Sequence, residues 1–168
     1  MTRSTRSAVG AATAALAVTL ASCSTGFGAQ TTEVYNAPAG TDIRGGEVEV
    51  LSGAIVIDGD GAGTLSGGLV GPQNSADALT SVQVTDGEGA PVEVEIKGGS
   101  VPIPAGELVL MAEDAEIAIA ADTLAAGMLA DVAFTFQEGG PVSGALVIMA
   151  QEGTYEDVEI PKPPALPH

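Results

Sequence analysis

Few side chains in this chain could carry chemistry, and their types and spacing exclude most of it. Cys23 is the only thiol and His168 the only imidazole. A Ser-His-Asp relay or a His/Cys metal cluster therefore has nothing to stand on, and a histidine closing a proline-rich end reads as solvated. Two glutamate pairs, Glu47 with Glu49 and Glu93 with Glu95, have a spacing that places both carboxylates on one face of a strand. Such pairs can attract a divalent cation, but more often they keep a strand soluble. Asp58-Gly59-Asp60-Gly61 opens like a calcium loop, yet such a loop needs a glutamate at its twelfth position, and Leu69 stands there. A hairpin turn is the better reading. Met111, Met128 and Met149 each lie in or beside an apolar run, which points to core packing. No glycine-rich phosphate loop links a strand to a helix, and with no Trp and only five other aromatic residues a stacking platform is not expected. The expectation is a protein that is not an enzyme and has no resident cofactor.

Cys23 is the exception, because of what precedes it. Arg3 and Arg6 sit in a short basic segment, residues 8–20 carry no charge, and Ala21 and Ser22 are small, the order of an export signal. These thirteen uncharged residues are too few for a membrane-spanning helix, which needs about 20. The run Leu20-Ala21-Ser22-Cys23 resembles the lipobox of bacterial lipoproteins. That resemblance implies cleavage between Ser22 and Cys23, lipid such as palmitate on Cys23, and anchoring at the outer face of the cell membrane. Acyl chains contribute about 0.8 kcal/mol per buried CH₂, so two or more hold a protein firmly.

The chain beyond the signal has 146 residues, with Arg44, Lys97 and Lys162 against 22 acids, a formal −19. Nucleic acid is excluded as a partner at that charge, and an anionic lipid surface would repel the domain, leaving the anchoring to the lipid. The acids are scattered, as on a solvated surface. With Cys23 taken by lipid, no disulfide can form within the chain, and the domain must fold on its core.

Positioning elements can be read from the alternation of apolar and polar residues. Ser, Thr, Gly, Ala and Gln dominate residues 23–40, which reads as a flexible tether. Strands are expected at 47–51 with 55–57, 65–70, 79–85, 92–96, 101–104, 108–111, 116–120, 132–136 and 142–149, with turns at 58–61 and 86–89. The run 92–96 alternates most clearly, with Val92, Val94 and Ile96 inward and the glutamates outward. A short helix is conceivable over 123–130, weakened by Gly127. Eight or nine such strands predict an all-β, antiparallel Greek-key sandwich over 41–150. Residues 151–168, acidic and rich in proline, are expected to leave it as a flexible tail.

The run Val101-Pro102-Ile103-Pro104-Ala105-Gly106-Glu107-Leu108-Val109-Leu110, followed by Val132-Ala133-Phe134-Thr135-Phe136 and the strand 142–147, is similar to the second half of exported copper chaperones of the PCuAC type. Gly67-Gly68-Leu69-Val70 and Leu79-Thr80-Ser81-Val82 are similar to strands upstream in that family. The resemblance implies a cupredoxin-like sandwich over about 45–150. The family holds Cu(I) with soft His and Met ligands. At the matching positions this chain has Glu95 for the first His and Glu116 and Ala118 for the His-x-Met, and the Met-bearing hairpin between them is missing. Hard carboxylates do not replace thioethers for Cu(I), so no metal site is carried over. Lipobox, tether, domain and Pro-rich end together resemble a group of actinobacterial lipoproteins, mycobacterial LpqE among them. The expected role is a binding or accessory module for another envelope protein. The competing expectation is a copper or other metal chaperone with a site rebuilt from carboxylates and a methionine.

Overall fold

The computed structural model describes residues 40–163. The expected export signal with Ser22 and Cys23, the expected tether up to residue 39, and His168 lie outside them. Eleven strands form the fold: β1 (Thr41–Ile43), β2 (Glu49–Ile57), β3 (Ala62–Val70), β4 (Asp77–Thr85), β5 (Pro91–Val92), β6 (Val94–Ile96), β7 (Val101–Ile103), β8 (Leu108–Leu110), β9 (Ile117–Ala120), β10 (Leu129–Phe136) and β11 (Gly140–Ala150). The only α-helix among the described residues is the single turn α1 (Met111–Asp114). The neighbours run β5-β4-β10-β11-β2-β3-β9-β6, with β1, β7 and β8 attached to β2, β4 and β3. The expected all-β, cupredoxin-like sandwich is what the chain forms.

Closure depends on the segment Pro91–Ile96. Its first half pairs with β4, Val84 opposite Val92, and its second half with β9, Ile96 opposite Ile117. Between them the Glu93 carbonyl accepts the Ala120 N–H at 2.9 Å. One alternating run therefore changes partners at Glu93 and ties the two ends of the strand order together, giving a barrel-like sheet. Phe134 and Phe136 stack in the core, their centroids 6.5 Å apart, with Leu65, Leu69, Leu79, Ile103 and Leu146.

β2 is buried on both faces. Ile55 and Ile57 join the main core, while Ala54 and Val56 join a second cluster on the outer side. That accounts for its unbroken apolar run, which an antiparallel strand wetted on one face would not have. It also corrects the expectation of a wholly antiparallel sheet, because β11 runs parallel to β2, from Val147 beside Ala54 to Ala150 beside Ile57. Alternation reports which face of a strand is buried and is silent on the direction of its neighbour.

A bulge interrupts β2 where the sequence suggests two strands. Ser52 (φ 50°) and Gly53 stand against Gly67, and the register shifts there. Gly67 has φ 117°, and a Cβ on it would lie 2.8 Å from the Leu51 carbonyl oxygen, so only glycine fits. The helix conceivable at 123–130 is absent. Gly127 at φ 86° donates its N–H to Ile148 O, and Met128 O accepts from Ile148 N, so the backbone is drawn into pairing with β11.

The segment after β11 departs most from expectation. Instead of leaving as a flexible tail at Gln151, it makes a 3₁₀ turn, Gly153–Tyr155, and lies across the outer face of the sheet. Tyr155 is buried with Ala54 and Val56, and Val147, Met149, Val158 and Ile160 pack around them. The side-chain amide of Gln151 donates to Val158 O at 2.7 Å and fixes this strap's path. Apolar residues spaced through an acidic, proline-containing sequence are enough to hold it, though they form no periodic pattern.

Candidate functional site

The three positions singled out from the sequence meet on one ladder. Glu95 of β6 lies directly across from Ala118 of β9. One step along the same face, the Lys97 N–H donates to Glu116 O at 2.9 Å, and Lys97 Nζ reaches Glu116 Oε2 at 3.1 Å. Directly opposed residues have Cβ atoms about 5 Å apart, so Glu95, Lys97, Glu116 and Ala118 form one patch. Ala118 is buried, whereas both glutamates and the lysine are exposed. The Lys97 ammonium pairs with the Glu116 carboxylate.

Asp58 and Asp86 serve the backbone of their turns. Asp58 Oδ1 accepts the N–H groups of Asp60 at 2.9 Å and Ala62 at 2.8 Å. Asp86 Oδ1 accepts those of Glu88 at 3.0 Å and Ala90 at 2.9 Å. Asp58-Gly59-Asp60-Gly61-Ala62 and Asp86-Gly87-Glu88-Gly89-Ala90 are thus the same hairpin built twice, as their sequences suggest. The Ala90 N–H above all holds the Asp86 carboxyl below its ordinary pKa against the opposing effect of burial. Glu47 is exposed, and Glu49 takes a 3.3 Å contact from Arg44, which also pairs with Asp42 at 2.9 Å. Among the described residues no three His, Cys, Asp or Glu side chains are grouped to hold a metal.

Asp77 drew no notice in the sequence, yet it joins elements far apart in the chain. Its Oδ1 accepts the N–H groups of Ala78 at 2.7 Å and Glu138 at 2.9 Å, and its Oδ2 that of Gly139 at 2.8 Å. Partial burial alone would raise its pKa, but the N–H donors, Glu138 first among them, outweigh it and hold the carboxyl below its usual value.

Core packing holds for Met111, which is fully buried, and Met149 is half-buried under the strap. Met128 is corrected: it is 58% exposed beside Leu129, at the rim of a recess of about 370 Å³ that Asp86 and Thr123 also line. Its apolar context belongs to a loop that the core does not take in.

A larger cleft, about 600 Å³, lies between the strap and the surface of β3, β8 and α1. Buried or half-buried Leu110, Ala112, Tyr155 and Val158 line it, with exposed Glu113, Asp157 and Glu159 at its mouth. A neighbouring recess of about 410 Å³ shares Ala112, Glu113 and Glu159 and reaches Lys97 and Glu116. No sequence signal marks this cleft, because one wall is the segment expected to be free.

With this geometry in place, the chain can be set against known structures. It aligns with the copper-bound PCuAC domain from PmoF2 at a TM-score of 0.53 and 16% identity, over 66% of this chain and 98% of that one. The apo PCuAC domain from PmoF1 aligns at a TM-score of 0.55 and 19% identity, over 66% and 99%. The fold is that of PCuAC domains. No protein-family model and no curated protein matches the sequence. At these identities the likeness is one of fold, so the copper of a PCuAC domain has to be tested against the residues present. Glu95 and Glu116 offer hard oxygens, Ala118 offers no donor, and Lys97 adds a positive charge beside Glu116. This set does not fit Cu(I), which takes thioether and imidazole ligands.

Proposed function

We propose that the protein is a lipid-anchored envelope lipoprotein, acylated at Cys23 and similar in plan to the LpqE-like group. Its PCuAC-type sandwich acts as a non-enzymatic binding or accessory module for another envelope protein and does not carry copper. One observation carries the second part of this reading. The positions that the resemblance assigns to the ligands hold an ion-paired Glu116, an exposed Glu95 and a buried alanine, which supports a scaffold without a soft-metal donor set there. The first part rests on the order of basic, apolar and small residues before Cys23. No helix among the described residues is long and apolar enough to cross a membrane.

Anaerobic calorimetric titration of the full chain with Cu(I), Cu(II), Zn(II) and Ca(II), repeated on Glu95→Gln and Glu116→Gln, tests the second part. No saturable binding tighter than about 10 μM is expected, since weaker carboxylate binding stabilises little at ordinary metal levels. One-to-one copper binding lost in both variants would replace this reading with a chaperone using a rebuilt site. Cys23→Ala tests the anchor: the product should lose its lipid and leave the membrane fraction, and an unchanged fraction would refute acylation.

A further inference from the structure

The cleft under the strap has an apolar wall and an acidic mouth. About 600 Å³ lies within the usual size of a ligand site. Leu110, Ala112, Tyr155 and Val158 give it an apolar wall beside Ser66 and the Gly67 backbone, while Glu113, Asp157 and Glu159 at the mouth are exposed and have no cation within pairing distance among the described residues. Lys97, the one base on the adjoining recess, is already paired with Glu116.

Such a surface rejects anions and asks for positive charge on an apolar stem. It is not built for a metal ion, because these carboxylates form no metal-holding group. Lysine and arginine combine the two requirements, laying methylene stems along apolar surface while the charged head stays at the rim. The recesses join through Ala112, Glu113 and Glu159, making a run and not a single hole, which suits an extended segment better than a compact molecule. We propose that the cleft between the strap and α1 is the docking groove for an extended, basic segment of a protein partner. This rests on the binding-module reading above and adds the place and the chemistry of the contact.

The test uses the full chain in neutral detergent and a fluorescein-labelled probe peptide, Ala-Lys-Leu-Arg-Val-Lys, followed by anisotropy. A control peptide carries glutamine at its three basic positions. Two triple variants are compared: Glu113→Gln with Asp157→Asn and Glu159→Gln in the cleft, and Glu47→Gln with Glu88→Gln and Asp131→Asn outside it. Saturable binding of the basic peptide is expected, weakened about tenfold in the cleft variant and unchanged in the other, as a local charge match predicts. Raising salt from 50 to 300 mM should weaken it about fivefold. Hydrogen exchange should slow at 110–113 and 154–160 in the complex. Equal loss in both variants would mean attraction to an acidic surface in general and would overturn the groove, as would no binding or protection elsewhere. A pull-down from solubilised envelope separates this from the broader reading: a partner captured equally by wild type and cleft variant keeps the module and removes the groove.

Discussion

Asp77→Ala should destabilise the sandwich by about 2 kcal/mol, a large effect for one half-exposed side chain. Its carboxylate accepts three N–H groups, of which Glu138 and Gly139 lie on the β10–β11 connection, some 60 residues along the chain. Hydrogen bonds to a charged acceptor contribute about 1.5 to 3 kcal/mol each when sheltered, but Glu138 is exposed and water can replace part of what is lost. Three such bonds, discounted for solvent, give the figure above. Asp77→Asn should cost about half as much, because its amide oxygen can still serve Ala78 and Glu138 while its NH₂ faces the Gly139 N–H. Urea unfolding followed by circular dichroism at neutral pH measures both. The pH dependence has a fixed sign. The folded carboxyl lies below its unfolded value of 3.8, so its contribution is complete above that value and disappears as pH falls through the lower folded pKa. The gap between wild type and Asp77→Asn should therefore close in acid. A loss under 0.5 kcal/mol for Asp77→Ala, or a gap that widens in acid, would refute the assignment of Asp77 as the tie between β4 and the β10–β11 turn; both thresholds follow from ordinary hydrogen-bond energetics.

Other expectations can be checked with the same protein. Tyr155→Ala should remove about 2 to 3 kcal/mol by urea unfolding and speed hydrogen exchange over 154–160, since it empties the centre of the outer cluster. Gly67→Ala should lower the melting temperature by several degrees, about 2 kcal/mol, because its φ and the Leu51 carbonyl both oppose a Cβ. Placing soft donors on the ladder, as Glu95→His with Glu116→His and Ala118→Met, should create anaerobic Cu(I) binding visible by calorimetry, since the register already sets 95 across from 118. Failure of that folded variant to bind copper would show that the geometry, as well as the ligands, differs from a copper site.

Much of the fold was legible because inward and outward residues alternate and turns are punctuated. Val92-Glu93-Val94-Glu95-Ile96 announces a half-buried strand, and Asp-Gly-Asp/Glu-Gly announces two hairpins that the structure builds alike. The change of partner at Glu93 left no mark, because both halves of the strand bury the same face. The strap escaped notice for a different reason: Tyr155, Val158 and Ile160 are too few and too irregularly spaced to form a period, and only the outer face of β2 gives them a target. The candidate ladder could be located by resemblance, but its key member was Lys97, one position beyond any residue the pattern draws attention to. The apolar neighbours of Met128 in sequence point to the core but say nothing about whether a loop is covered.

The placement of β11 bears on how such a chain folds. This last strand is wedged between β10, which pairs with it antiparallel, and β2, which pairs with it parallel. The early hairpin β2–β3 and the later β4–β10 pair share no ladder until residues 140–150 arrive. Pairing between the start and the end of a domain closes the longest loops and slows folding. A nascent chain lacking those residues has its two half-sheets joined only through the Pro91–Ile96 run, with no complete core. For a chain exported as proposed above, that delay keeps the polypeptide unfolded until its final strand is available, and the strap can lock only after the barrel-like sheet beneath it has closed.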